Sequence, residues 1–147
     1  MTERWLDEWE KSFAARLSEI RERIDAAARR SGRTARDILL LAATKTVPPE
    51  RINAAIRQGI TLVGENRVQE LSEKYPLLEA RGCDIHFIGR LQTNKVRQLM
   101  DPVSMIHSLD SLKLAAEVDR QCQKRNRTME VCIEINIGRE ANKSGIA

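Results

Sequence analysis

Ile38-Leu39-Leu40-Leu41-Ala42-Ala43-Thr44-Lys45-Thr46 decides the fold: six apolar residues in succession run straight into a polar triplet. An unbroken apolar run, rather than an alternating one, is the pattern of a strand in a parallel sheet covered on both faces. Downstream, short runs rich in β-branched residues recur near 60–64, 85–89, 104–108 and 130–137. Each run except the last leads into a helical stretch.

The intervening segments read as helices for local reasons. Pro48-Pro49-Glu50 supplies a proline and an acid for a first turn, Ile52 and Ile56 share a face, and Gly59 ends the helix. Asn66 to Tyr75 carries Val68 and Leu71 before Pro76 forbids continuation. Thr93 to Met100 turns Val96, Leu99 and Met100 inward, and Ser111 caps the stretch holding Leu114, Ala115 and Val118. Upstream, Trp5, Trp9, Phe13, Leu17, Ile20, Ile24 and Ala28 draw one apolar stripe along a long helix over 2–31, with Thr2 able to cap its start and Gly32 its end.

The order is therefore a helix, four βα units and a fifth strand. Such alternation implies an α/β fold with a parallel sheet, either doubly wound or curling into a barrel, which periodicity does not separate. A chain of 147 residues is one domain or part of one. With 41% hydrophobic and 31% charged residues it suits a helix-rich globular protein. The longest apolar run is far shorter than the roughly 18 residues a membrane span needs, and the charged N-terminus does not read as a leader. Cys83, Cys122 and Cys132 are odd in number and scattered, which suggests reduced thiols and a cytoplasmic setting. The net charge of +4 comes from groups such as Arg29-Arg30 and Lys124-Arg125 with Arg127 at helix C-termini, where cations complement the dipole. Aromatics at 3% argue against a stacking platform for nucleic acid.

In parallel α/β folds chemistry gathers at the C-terminal ends of the strands. There stand Thr44-Lys45-Thr46, Gly64-Glu65-Asn66, Gly89-Arg90-Leu91-Gln92, His107-Ser108-Leu109-Asp110 and Asn136-Ile137-Gly138-Arg139-Glu140. Lys45 follows a run expected to be buried, in surroundings that disfavour its ammonium and leave an amine able to attack an aldehyde. The plainer alternative is a lysine that snorkels to water. Asn66 is placed either to bond a ligand or to cap the next helix. Gly64 and Gly89 read as turn punctuation or as points of close approach. Cys83, His86 and His107 form no metal-ligand pattern, and no dinucleotide or P-loop motif occurs. His107, Ser108 and Asp110 do not make a triad, because strand neighbours point to opposite faces.

Taken together, Leu41-Ala-Ala-Thr-Lys45-Thr-Val, Gly64-Glu-Asn66-Arg-Val-Gln-Glu70, His86-Phe-Ile-Gly-Arg-Leu-Gln-Thr-Asn-Lys95, Ile106-His-Ser-Leu-Asp110, Glu134-Ile-Asn136-Ile-Gly-Arg-Glu and Lys143-Ser-Gly145 resemble, in order, the pyridoxal phosphate homeostasis proteins. The resemblance implies a parallel (βα) barrel of the alanine racemase N-terminal type, here truncated to the long helix, about five strands and four helices. It implies one partial domain over 1–147, with 1–32 as the helix and 37–147 as the first βα units. It further implies that Lys45 holds pyridoxal 5′-phosphate (PLP) as a Schiff base, with Asn66 beside the cofactor, Asn136 close to the ring and Lys143 on a mobile mouth loop. Some members carry a second lysine where Val47 stands. The family's phosphate cup lies on later strands, so the chain is expected to keep the covalent hold and lack the phosphate grip.

The function so implied is intracellular PLP storage and delivery to apo-enzymes, a carrier with no catalytic residue and no metal. A fragment of a fold-related racemase or decarboxylase is the alternative, and an RNA-binding role rests only on the basic charge. Self-association is expected through the unpaired outer edges of the first and fifth strands.

Overall fold

The computed structural model describes residues 3–140 and 142–146. The Thr2 cap and the Trp5 side chain lie outside the described residues. The long helix is α1 (Glu3–Arg30). It ends as the sequence predicts: Gly32 takes φ 72°, its N–H donates to the Arg29 carbonyl, and Arg33 N–H reaches back to Ala28. These are the paired bonds of a Schellman motif, which requires a left-handed residue that glycine supplies without strain. Trp9, Phe13, Leu17 and Ala28 pack inward or are half-buried, and Trp9 stacks on Phe13 at 4.9 Å. Ile20, expected on the same stripe, is 43% exposed.

The remaining elements alternate: β1 (Ala42–Ala43), α2 (Pro49–Arg57), β2 (Leu62–Glu65), α3 (Val68–Lys74), β3 (Asp84–Phe87), α4 (Val96–Leu99), β4 (Met105–Leu109), α5 (Leu112–Gln123) and β5 (Glu130–Ile133). Pro49 opens α2, and Gly59 leaves it at φ 90°. The Ser111 hydroxyl accepts from Leu114 N–H and caps α5. The basic groups have more specific work than a helix dipole. The Arg127 guanidinium donates to the carbonyl of Met100, which caps α4, and to that of Val103 in the loop leading to β4.

All five strands are parallel and lie in the order β1-β2-β3-β4-β5. A doubly wound sheet reverses its strand order at a switch point; none occurs among the described strands. Partnered residues Val63, Ile85, Phe87 and Ile106 face the helices and join Ile52, Leu71, Val96, Leu99, Leu114 and Val118 in one core. The alternate residues Gly64, His86, Met105 and His107 look to the opposite face.

The deciding run behaves differently from its expected burial on both faces. Only Ala42 and Ala43 pair, with Val63 and Gly64, while Ile38 and Leu39 are 36% and 79% exposed. The reason is position, since β1 has a neighbour on one side only. At the other edge Val131, Ile133, Ile135 and Ile137 are exposed on and beyond β5. Ile135 bridges Ile146 in parallel, an isolated contact in addition to the four strand pairings. No described helix is long and apolar enough to cross a membrane.

Candidate functional site

The turn after β1 carries Lys45. Val47 N–H donates to the Thr44 carbonyl at 3.0 Å, and Thr46 between them takes φ 62°. A β-branched residue rarely accepts that conformation, which turns of this kind usually give to glycine. Lys45 itself is exposed, not desolvated as expected, because the edge strand before it is two residues long and uncovered on its far side.

Asn66 follows β2. It does not cap α3, whose N-cap position is Arg67 and carries no side-chain bond. Its Oδ1 is instead buried without a hydrogen-bond partner among the described residues. A buried acceptor left unpaired carries a desolvation cost of about 1–3 kcal/mol. Asn66 lines a cleft of about 840 Å³ with Arg67, Arg90, Gln92, Lys95 and Asp110. Asn136 and Lys143 share a second hollow of about 420 Å³, in which Arg90 also takes part. Asn136 closes that loop on itself: Nδ2 donates to the Glu140 carbonyl at 2.9 Å, Oδ1 accepts from Glu140 N–H, and Lys143 Nζ pairs with Glu140 at 2.7 Å. The structure thus brings Asn136 and Lys143 together and leaves Asn66 in a separate cleft that shares Arg90 with theirs, whereas Lys45 lines neither hollow.

Gly64 and Gly89 are points of close approach; neither takes a positive φ. A Cβ on Gly64 would lie 2.6 Å from Leu41 Cδ2, and one on Gly89 would overlap the Asn66 backbone.

No family model matches the chain. A pyridoxal phosphate homeostasis protein of Aquifex aeolicus (strain VF5) is 48% identical over 131 residues, which are 89% of this chain and 58% of that protein. The chain is a relative of the pyridoxal phosphate homeostasis proteins. It spans 58% of the length of the first relatives it matches. In structure it is similar to an unknown protein from Bifidobacterium adolescentis, with TM-score 0.86 and 34% identity over 96% of this chain and 61% of that one. It is also similar to PipY of Synechococcus elongatus PCC7942 with PLP bound, with TM-score 0.67 and 32% identity over 74% of this chain and 51% of that one.

Two constellations in this relative of the homeostasis proteins escape a sequence reading. The first is a buried polar cluster of Thr44, Glu65, Glu70 and Lys74 beside Lys45; two of its members stand in the Gly64–Glu70 motif. The second is a histidine pair across β3 and β4, His86 Nδ1 and His107 Nε2 at 2.9 Å. One ring must donate and the other accept, so the pair tolerates at most one added proton without losing its bond.

Burial, then the neighbouring His107, pushes the His86 pKa below its ordinary 6.5, against smaller opposing effects of Asp84 and Glu130. The unfolded chain therefore binds the proton first on acidification. This contribution to stability is whole above pH 6.5 and is lost as pH falls from there through the folded value. One proton limits the slope to about 1.4 kcal/mol per pH unit. Urea midpoints measured at about pH 7.5 and about 5.5 should fall with acid in the wild type and fall less in His86→Asn; equal slopes would refute the assignment. The carboxylates act at lower pH: Glu117, held by Arg120 and then Gln121, sits at about 2.

Proposed function

We propose that the chain is the PLP-holding part of a PLP homeostasis protein, a carrier that stores the cofactor and delivers it to apo-enzymes, with Lys45 as the attachment point. The observation that carries this reading is the likeness to a protein whose solved structure has PLP bound. In finer terms, 1–147 is a single partial (βα) barrel domain, residues 1–32 its leading helix and 37–147 its first βα units. The sequential strand order, with helices packed against one face, supports a barrel.

The donor set fits the cofactor. Bound PLP supplies an aldehyde that condenses with a primary amine to give a C=N bond and release water. Lys45 is the amine for that Schiff base, exposed and so accessible to a ligand. Asn66 would border the ligand from the end of β2, while Asn136 and Lys143 would border it from the loop after β5. The three cysteines are free, in keeping with a reducing cytoplasm. A racemase or decarboxylase fragment gains no support from relatives named for homeostasis.

Incubation with PLP, borohydride reduction and peptide mapping test the assignment. The label is expected on Lys45 and should vanish in Lys45→Ala; equal labelling of surface lysines in both forms would sink it. The same samples, separated by size, test self-association. The exposed edges at β1 and β5 are proposed to pair with a second copy, and an all-monomer profile at high concentration would discard that pairing.

A further inference from the structure

We infer that Glu65, Glu70 and Lys74 are positioning residues that lock the turn presenting Lys45; this rests on the reading of Lys45 as the cofactor-holding lysine. Glu65 closes β2 and is 1% exposed. Its Oε1 accepts from the Thr44 hydroxyl at 2.7 Å and from Lys74 Nζ at 3.0 Å. Lys74, itself buried, spends its three donors on Glu65, on Glu70 at 2.5 Å and on the Thr44 carbonyl at 2.9 Å. The Glu70 oxygen that takes the lysine also accepts Thr46 N–H at 2.6 Å. Lys74 above all, and then Thr46 N–H, hold the Glu70 carboxyl below its usual range against the effect of burial, which keeps it ionised at neutral pH.

The residues on both sides of Lys45 are thus fixed, Thr44 by its carbonyl and hydroxyl and Thr46 by its N–H, while Lys45 stays out of the network. Two physical arguments give this arrangement a purpose beyond stability. A buried ion pair seldom stabilises a fold more than apolar residues of the same volume, so Glu65 and Lys74 are poor choices if filling space is their task. Thr46 at φ 62° would relax toward ordinary backbone unless its surroundings over-determined it. The cluster supplies that constraint, and relaxation of the turn would change the direction in which the Lys45 amine is presented.

The test uses the whole chain. Glu70→Ala frees Thr46 N–H, Glu70→Gln keeps an acceptor for it, and the double variant Glu65→Gln with Lys74→Met removes the buried pair, leaving the Glu70 carboxylate at the rim with Thr46 N–H as its remaining partner in the cluster. Two quantities are measured: amide hydrogen exchange at residues 45–47 without cofactor, and the initial rate of borohydride-trapped labelling of Lys45 by PLP. Glu70→Ala and the double variant should exchange faster at Thr46 and label roughly tenfold more slowly, as expected for a misplaced reacting group. Glu70→Gln should retain most of the wild-type rate. Variants that fold with unchanged exchange and unchanged labelling overturn the inference. Glu70 lies at the rim of the cluster, with its side chain 18% exposed, so Glu70→Ala decides the matter if the double variant fails to fold. Should wild-type Lys45 itself stay unlabelled, the cofactor assignment falls, and exchange at Thr46 alone reports whether the turn is locked.

Discussion

Phe87→Ala should lower the unfolding free energy by about 3–5 kcal/mol, the cost of deleting a fully buried aromatic ring and leaving a cavity. Phe87 is 0% exposed at the end of β3, facing the helices between Glu65 on one strand and Ile106 on the next. Its neighbours cannot collapse into the gap easily, because the sheet ladders fix both flanking strands. Ordinary domains hold only about 5–15 kcal/mol in total, so the loss is a large fraction of what keeps this chain folded. Urea unfolding checks it: the midpoint should drop with an unchanged denaturant slope. A loss below about 1 kcal/mol would mean that this ring is not the centre of the core.

The middle of the sheet was the legible part. Residues 85–89 and 104–108 predict strands, and β3 and β4 form within two residues of those bounds, because each has a neighbour on both sides and buries at least its helix-facing residues, Ile85, Phe87 and Ile106. At the edges the same signal misleads. Ile38 to Leu41 is as apolar as any strand here, yet pairing begins only at Ala42, since a ladder needs a neighbour that composition cannot reveal. Lys45 stands just past a strand end, and its exposure follows from β1 having a neighbour on one side only among the described strands.

The site was legible wherever one residue carried the signal and obscure wherever a contact did. Lys74 looks like a solvated helix lysine, four residues from Glu70 in a pair usually seen at a surface. Only the fold shows it turned inward to Glu65, a carboxylate that ends an apolar strand and reads as the start of a loop. His86 and His107 meet because His86 is in register with Met105, which puts His107 on the same face; register between parallel strands is set across the sheet and leaves no local trace.

Gly89→Ala should be nearly as damaging as the loss of Phe87, though it adds a single methyl. Gly89 follows β3 beside the end of β2, and Ile88 N–H donates to the Glu65 carbonyl at 2.8 Å, drawing the two chains together. A Cβ there would overlap the Asn66 carbonyl oxygen and stand 2.7 Å from the Asn66 Cα. Backbone cannot swing aside as a side-chain tip can, so the strain belongs at or above the upper end of the usual 1–3 kcal/mol for overpacking. The nearby Gly64 makes the control. Its added methyl would meet the ends of Leu41 and Ile88, which can change rotamer, so Gly64→Ala should cost less. Because the displaced group is Asn66, the Gly89→Ala chain that does fold should also lose PLP affinity, read as a rise in the cofactor concentration that half-saturates labelling of Lys45. If Gly89→Ala matches Gly64→Ala in stability and the wild type in labelling, the close contact between these strand ends is not what holds Asn66 in place.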